Sequence, residues 1–302
     1  MPALRHAILG VGGVGGLIGA SLARLGDSVT AIVKPQSLAS YPEQLKLESP
    51  FGNILVPVAR SAEVPSVDVL WIAVKATQLQ DSLGALAHPE SVRAIVPLLN
   101  GLNHLDWLRA ECGFDRVIPA TIAVESERVA PGHIIHRSPF AIMNVSSAGR
   151  PLLGFTLDQL QKMGFECHFI DDEATLMWTK LVFLAPIALA TTAFDQPVGG
   201  VMANPESKQQ WESCVREACA VAATEGAKVD ANAVFAGMSR APYGMRSSMQ
   251  KDVERGNPPE LDAIAGPIIR GGDRYGIPVE ATRRFVDVVA ARIGARPLNR
   301  PA

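Results

Sequence analysis

Short apolar runs alternate with stretches of helical spacing through the first half of the chain, and helical spacing alone remains in the second. Apolar runs of strand length fall at residues 6–10, 28–33, 54–58, 67–75, 94–100, 116–124, 133–136 and 141–145. Between them, residues 14–25, 78–87 and 105–112 place apolar side chains three and four apart, on one face of a helix. Strands alternating with helices predict a parallel sheet with helices on both faces. Beyond about residue 171 the strand signals vanish, and helical patterns follow at 174–192, 205–228, 231–238, 247–255, 260–275 and 280–293. The breaks fall where Gly and Pro cluster, as in Arg255-Gly-Asn-Pro-Pro259 and Tyr275-Gly-Ile-Pro278. The expected organisation is an α/β domain over 1–170 followed by an all-α domain over 171–302.

Composition narrows the function classes. With 48% hydrophobic and 19% charged residues the chain reads as a soluble globular protein. A formal net charge of -2 gives no electrostatic reason to expect nucleic acid or an anionic membrane as partner. The four cysteines form no C-x-x-C pair, so reduced thiols and a cytoplasmic location are expected, and no signal-peptide pattern opens the chain. His133 and His136 fall three apart in an apparent strand, where they point to opposite faces, and no metal site is expected. The apolar stretch 176–194 contains Lys180 and Pro186, which favours a kinked core helix over a membrane span.

The chemistry begins at Gly10-Val11-Gly12-Gly13-Val14-Gly15, a G-x-G-x-x-G turn that follows an apolar strand and opens an apolar helix. In that context Gly10 allows the tight turn, Gly12 the approach of a pyrophosphate to the backbone, and Gly15 close packing of helix on strand. The expected first domain is therefore a Rossmann-type dinucleotide-binding domain. The next strand ends in Lys34, where an NAD enzyme carries an acid for the ribose 2′-hydroxyl. A cation there favours a 2′-phosphate and hence NADP(H), the bland alternative being an exposed lysine at a strand end. Lys75 and Asn100 end two further strands, and residues so placed face the ligand crevice of an open α/β sheet.

In the second half, Lys180 is the only charge between Glu173 and Asp195. Two readings stand: a snorkelling lysine with its head in water, or a buried general acid with a lowered pKa. Ser247 and Ser248 open a helix and offer hydroxyls to a carboxylate. Glu260, after Pro258-Pro259, reads on composition as part of a helix cap, with Asn257 at the N-cap. Leu184 and Ala188 follow Lys180 at one and two turns and are expected to flank the tail of a substrate.

Taken together these residues resemble the ketopantoate reductases, the 2-dehydropantoate 2-reductase family. The resemblance rests on Gly10–Gly15, Val74-Lys75-Ala76, Asn100-Gly101, Trp178-Thr-Lys180-Leu, and Ser247-Ser-Met-Gln-Lys-Asp252 with Glu260-Leu-Asp262, and it spans essentially the whole chain. It implies NADPH-dependent reduction of a 2-oxo acid, 2-dehydropantoate first, in pantothenate biosynthesis. It also implies roles: Lys180 the proton donor, Glu260 a partner of that lysine and of the nicotinamide end, Asn100 a contact to cofactor and substrate, Lys75 to the ribose, Ser248 to the substrate. That role for Glu260 displaces the cap reading. Family enzymes acting on ketopantoate carry asparagine where this chain has Leu184, Ala188 and Val198, so a more apolar branched 2-oxo acid is the alternative substrate. A non-catalytic NADP-binding sensor is the alternative of another class, disfavoured because a sensor needs neither Lys180 nor Glu260. A homodimer stays open.

Overall fold

The computed structural model describes residues 3–294, which divide into two compact units. The first runs to Leu99 and resumes over His104–Leu176; the second comprises Asn100–Asn103 and the chain from Met177 onward. The chain thus enters the second unit for four residues, returns, and enters it again inside a helix.

In the first unit, β1 (Arg5–Leu9), β2 (Ser28–Ile32), β5 (Ala59–Ser61), β6 (Val67–Ile72) and β7 (Val92–Pro97) form an all-parallel sheet in the order β5-β2-β1-β6-β7. Successive strands are laid to one side of β1 and then to the other, so the order reverses beside β1. Helix α1 (Gly13–Arg24) touches this sheet and also a second one, built from β3 (Gln44–Glu48), β4 (Ile54–Pro57), β9 (Ser126–Ala130) and β10 (His133–His136) in the order β4-β3-β10-β9. The reason is legible in α1, where every residue from Gly15 to Leu22 is buried. A helix apolar on all sides needs cover on all sides. A third sheet, β12-β11-β8, joins β8 (Ala120–Ala123), β11 (Ile142–Ser146) and β12 (Glu166–Ile170), with α4 (Arg150–Lys162) packed on β12.

Two local expectations give way. The helix expected at 78–87 is only α2 (Leu79–Ser82), flanked by 3₁₀ turns at Ala76–Gln78 and Leu83–Ala85. Only Leu79 and Leu86 are buried in this stretch, seven residues apart, and the glycine at 84 between them does not favour a longer helix. The strands expected to reach Lys75 and Asn100 stop at Ile72 and Pro97, and α3 (His104–Cys112) follows the second.

The second unit is helical. Helix α5 (Glu173–Phe194) begins in the first unit and runs unbroken through Pro186. It is long and apolar enough to cross a membrane, yet its most apolar window is 67% buried inside the protein. It is followed by α6 (Val198–Ala203), α7 (Pro205–Thr224), α8 (Ala231–Met238), α9 (Ser248–Glu254), α10 (Leu261–Tyr275) and α11 (Glu280–Arg292). Helix α7 is the hub, touching α6, α8, α10 and α11. Its ends are sharply set: Asn204 accepts from Glu206 N and Ser207 N at 2.9 and 3.1 Å, and Gly226 leaves the helix at φ 84°. The ring of Phe194, last in α5, meets Phe285 of α11 edge-on at 5.6 Å.

Candidate active site

Each unit carries some of the candidate residues. In the first, Gly10 turns the chain out of β1 at φ 97°, and a Cβ there would lie 2.6 Å from Val74 N, just past the end of β6. The turn therefore sits at the carboxyl ends of β1 and β6, at the point where the strand order reverses, which is where such sheets bind ligands. Buried Val11 anchors the turn in the core and Val14 packs partly against it. Gly12 occupies the N-cap of α1 without a side-chain hydrogen bond, no acid lies in the first turn, and a Cβ on Gly12 meets no atom within 4 Å. Open space over an uncapped, twelve-residue helix start fits the pyrophosphate of a dinucleotide.

Ser126 of β9, unsuspected in the sequence, steadies the turn by donating to Gly13 O at 2.9 Å. Lys34 lies exposed two residues past β2. Arg60 pins the segment that follows it, donating to Leu38 O at 2.7 Å, Ala39 O at 3.1 Å and Glu43 at 3.0 Å. Lys75 is half-buried three residues past β6, at the head of a 3₁₀ turn.

In the second unit Asn100, Lys180 and Glu260 form a group. Asn100 Nδ2 donates to Glu260 Oε2 at 3.0 Å across 160 residues of sequence. The adjoining glycine makes this possible: Gly101 has φ 83°, and a Cβ on it would lie 2.3 Å from Ala263 O in the first turn of α10. Glu260 is 8% exposed and precedes α10 with no cap hydrogen bond from its side chain. The cap expected from Asn257 and Glu260 does not form, because the Pro-Pro segment stays outside the helix. Asn257 N instead closes the end of α9 on Asp252 O at 2.8 Å. Lys180 is half-buried as a residue, and burial around its ammonium pushes its pKa down to about 8, with the charge of Glu260 opposing the shift. Both readings of Lys180 predict a packed stem, and a lowered pKa is in keeping with the general-acid reading.

The two serines differ. Ser247 is 5% exposed and caps α9, accepting from Gln250 N at 3.1 Å, and its hydroxyl lies 2.8 Å from Thr191 Oγ1 of α5. Ser248 is exposed. The side chain of Ser247 therefore serves the fold, and Ser248 is the one open to a ligand. The positions expected to flank a substrate tail also separate. Leu184 is half-buried, whereas Ala188 is fully buried and Val198 only 2% exposed. Thr192 Oγ1 donates to Ala188 O at 2.6 Å. Of the three positions, Leu184 alone presents appreciable surface.

A further cluster at the end of α5 gave no sequence signal. Asp195, at φ 55°, binds Arg292 at 2.8 Å and accepts from Gln250 Nε2 at 3.4 Å, and Arg292 also donates to Thr192 O. It ties the ends of α5 and α11 to α9.

Comparison with known proteins identifies the family. Residues 6–148 match the family model described as ketopantoate reductase PanE/ApbA, and residues 173–292 its C-terminal counterpart. The 2-dehydropantoate 2-reductase of Caulobacter vibrioides is 29% identical over 296 residues, covering 94% of this chain and 98% of its own. A crystal structure of a PanE/ApbA family ketopantoate reductase from Ralstonia eutropha superposes with a TM-score of 0.83 at 26% identity, over 96% of this chain and 98% of that one. The ternary structure of D-mandelate dehydrogenase with NADH and anilino(oxo)acetate shares the fold, with a TM-score of 0.82 at 20% identity over 96% and 98% of the two chains. With both halves matched in order, the chain belongs to the ketopantoate reductase family and is an NADP(H)-dependent oxidoreductase acting on a CH–OH group.

Proposed function

We propose that this enzyme uses NADPH to reduce a small branched 2-oxo acid to the 2-hydroxy acid, 2-dehydropantoate being the first candidate through family membership. The observation that carries the proposal is the group Asn100, Glu260 and Lys180, with its lowered lysine pKa. The backbone at Gly10–Gly15 would hold the pyrophosphate, Lys34 the 2′-phosphate and Lys75 the ribose. When bound, the dinucleotide supplies a hydride to the carbonyl carbon.

The chain's own residues manage the proton. As negative charge develops on the carbonyl oxygen, the Lys180 ammonium donates to it through Nζ. A pKa of about 8 leaves the amine protonated at neutral pH yet more acidic than an ordinary lysine. Glu260 faces the ammonium, keeps its proton affinity from falling further and orients it. Asn100 donates one amide N–H to Glu260 and keeps Oδ1 and its other N–H for ligands. Ser248 offers its hydroxyl to the carboxylate of the substrate.

A second reading, the same chemistry on an acid with a more apolar tail, is favoured by Leu184. A hydroxyl reaching that face of α5 meets leucine. Thr191 and Thr192 further along are buried and engaged, and Arg246 is ion-paired with Glu254. An unpaired hydroxyl costs about 1–3 kcal/mol, while an alkyl group gains by burial. That the fold also serves D-mandelate dehydrogenase is in keeping with a variable tail site. The test is a panel of 2-oxo acids assayed by NADPH absorbance. On the apolar reading, 2-oxoisovalerate gives kcat/KM at least equal to that of 2-dehydropantoate, and Leu184→Asn moves the ratio back. Strong wild-type selectivity for 2-dehydropantoate removes the second reading and keeps the first; no turnover of any 2-oxo acid overturns both.

Cofactor choice is tested separately. One charge-assisted contact of about 1.5–3 kcal/mol supports roughly a ten- to hundredfold preference. Wild type is expected to favour NADPH over NADH by at least about tenfold in kcat/KM, and Lys34→Ala to bring the ratio toward one. Equal use of both cofactors by wild type overturns the role of Lys34.

A further inference from the structure

Resting on the reading of Ser248 as a substrate contact, we infer that Thr191 is a positioning residue for the reaction: it fixes Ser247 and, through it, the hydroxyl of Ser248. Thr191 is 1% exposed, and its Oγ1 lies 2.8 Å from Ile187 O and 2.8 Å from Ser247 Oγ. A hydroxyl has one proton to give, and the carbonyl of Ile187 can only accept. The consistent arrangement is that Thr191 donates to Ile187 O while Ser247 donates to Thr191. The lone pair left on Ser247 takes Gln250 N–H at 3.1 Å. Every strong hydrogen-bonding capacity of Ser247 but one lone pair is thereby used, which holds its χ1 and the backbone that leads into Ser248.

The position of Thr191 on α5 gives the contact its meaning. Lys180 and Thr191 are eleven residues apart, about three helical turns, so they share a face of α5. One helix thus sets both groups that touch the 2-oxo acid in the proposed reaction, Lys180 directly and Ser248 through a pair of hydroxyls. A second tie in the same place, Gln250 Nε2 to Asp195 at 3.4 Å, holds the following turn of α9 to the end of α5. Ser247 O also accepts from Lys251 N at 3.1 Å, so the contact left to Thr191 is the one that ties this N-cap to α5.

Thr191→Val removes the hydroxyl and keeps the shape. The expected result is a rise of about tenfold in KM for the 2-oxo acid, with kcat within about threefold and the NADPH Kd within about twofold of wild type. Thr191→Ser restores KM. Ser247→Ala breaks the same contact from its other end and gives the same KM rise, which keeps the test available if the valine variant folds poorly. In a Ser248→Ala background, Thr191→Val is expected to add no further rise, since a residue acting through Ser248 has nothing left to position. An unchanged KM in both Thr191→Val and Ser247→Ala, or additive effects in the double variants, overturns the inference while a raised KM in Ser248→Ala keeps the reading beneath it. A normal KM in Ser248→Ala overturns the reading of Ser248 itself, and the inference with it.

Discussion

Lys180→Ala is expected to lower kcat for 2-oxo acid reduction by about a hundredfold or more and to leave the NADPH Kd within about twofold, the pattern of losing a general acid. On the proposed reading the change removes the proton donor. Asn100 donates weakly and already gives one N–H to Glu260, leaving water as the donor. Titration by cofactor fluorescence separates binding from chemistry. The wild-type pH profile supplies the companion result. Burial holds the Lys180 pKa near 8, so the ammonium form dominates below that pH and declines above it. kcat/KM for reduction should fall about tenfold per pH unit above pH 8, and the reverse oxidation should rise through the same range. A Lys180→Ala enzyme with normal turnover, or a wild-type profile flat from pH 7 to 10, returns the residue to packing.

The second large effect lies at the glycine turn, where two adjacent alanine variants should fail in different ways. Gly12→Ala adds a methyl group that meets no protein atom within 4 Å, so the fold should keep its Tm. That space is where the phosphate would approach the backbone. Losing charge-assisted contacts of about 1.5–3 kcal/mol raises the NADPH Kd roughly ten- to hundredfold. Gly10→Ala instead forces a side chain onto φ 97° and within 2.6 Å of Val74 N. Backbone strain alone costs about 1–3 kcal/mol, and about 2–4 °C of Tm is lost per kcal/mol in a protein of this size. Calorimetry and cofactor titration on both variants check the contrast. A Gly12→Ala protein that binds NADPH normally removes the pyrophosphate from this turn.

What could be read from the sequence follows from what is local. The glycine turn is a contiguous pattern whose strand and helix flank it, and Lys180 stands out because it is the only charge between Glu173 and Asp195. Helix α4 carries a local pattern of the same kind, buried Leu153, Thr156, Leu157 and Leu160 at helical spacing with proline in the first turn. Strand β3 is short and alternates leucine with polar residues, Gln-Leu-Lys-Leu-Glu, too brief to stand out beside longer apolar runs. The contacts that assemble the site are of another kind. Asn100 to Glu260, Thr191 to Ser247, and Ser126 to Gly13 join residues 160, 56 and 113 apart, and neither partner carries a local pattern that names the other. Ser247 and Ser248 look alike in the sequence, and only the depth of each in the fold separates a helix cap from an open hydroxyl.

The four-residue excursion of Asn100–Asn103 into the second unit bears on how this enzyme can be cut. A break between residues 176 and 177 follows the unit boundary, yet it strands the amide partner of Glu260 on the amino-terminal fragment. The carboxy-terminal fragment would carry Lys180 and Glu260 with an incomplete hydrogen-bond set, and the amino-terminal one the dinucleotide turn and Asn100 without an acid or a proton donor. Neither fragment alone carries the whole proposed group, and reassembly must restore a loop as well as the helix cut at residue 176.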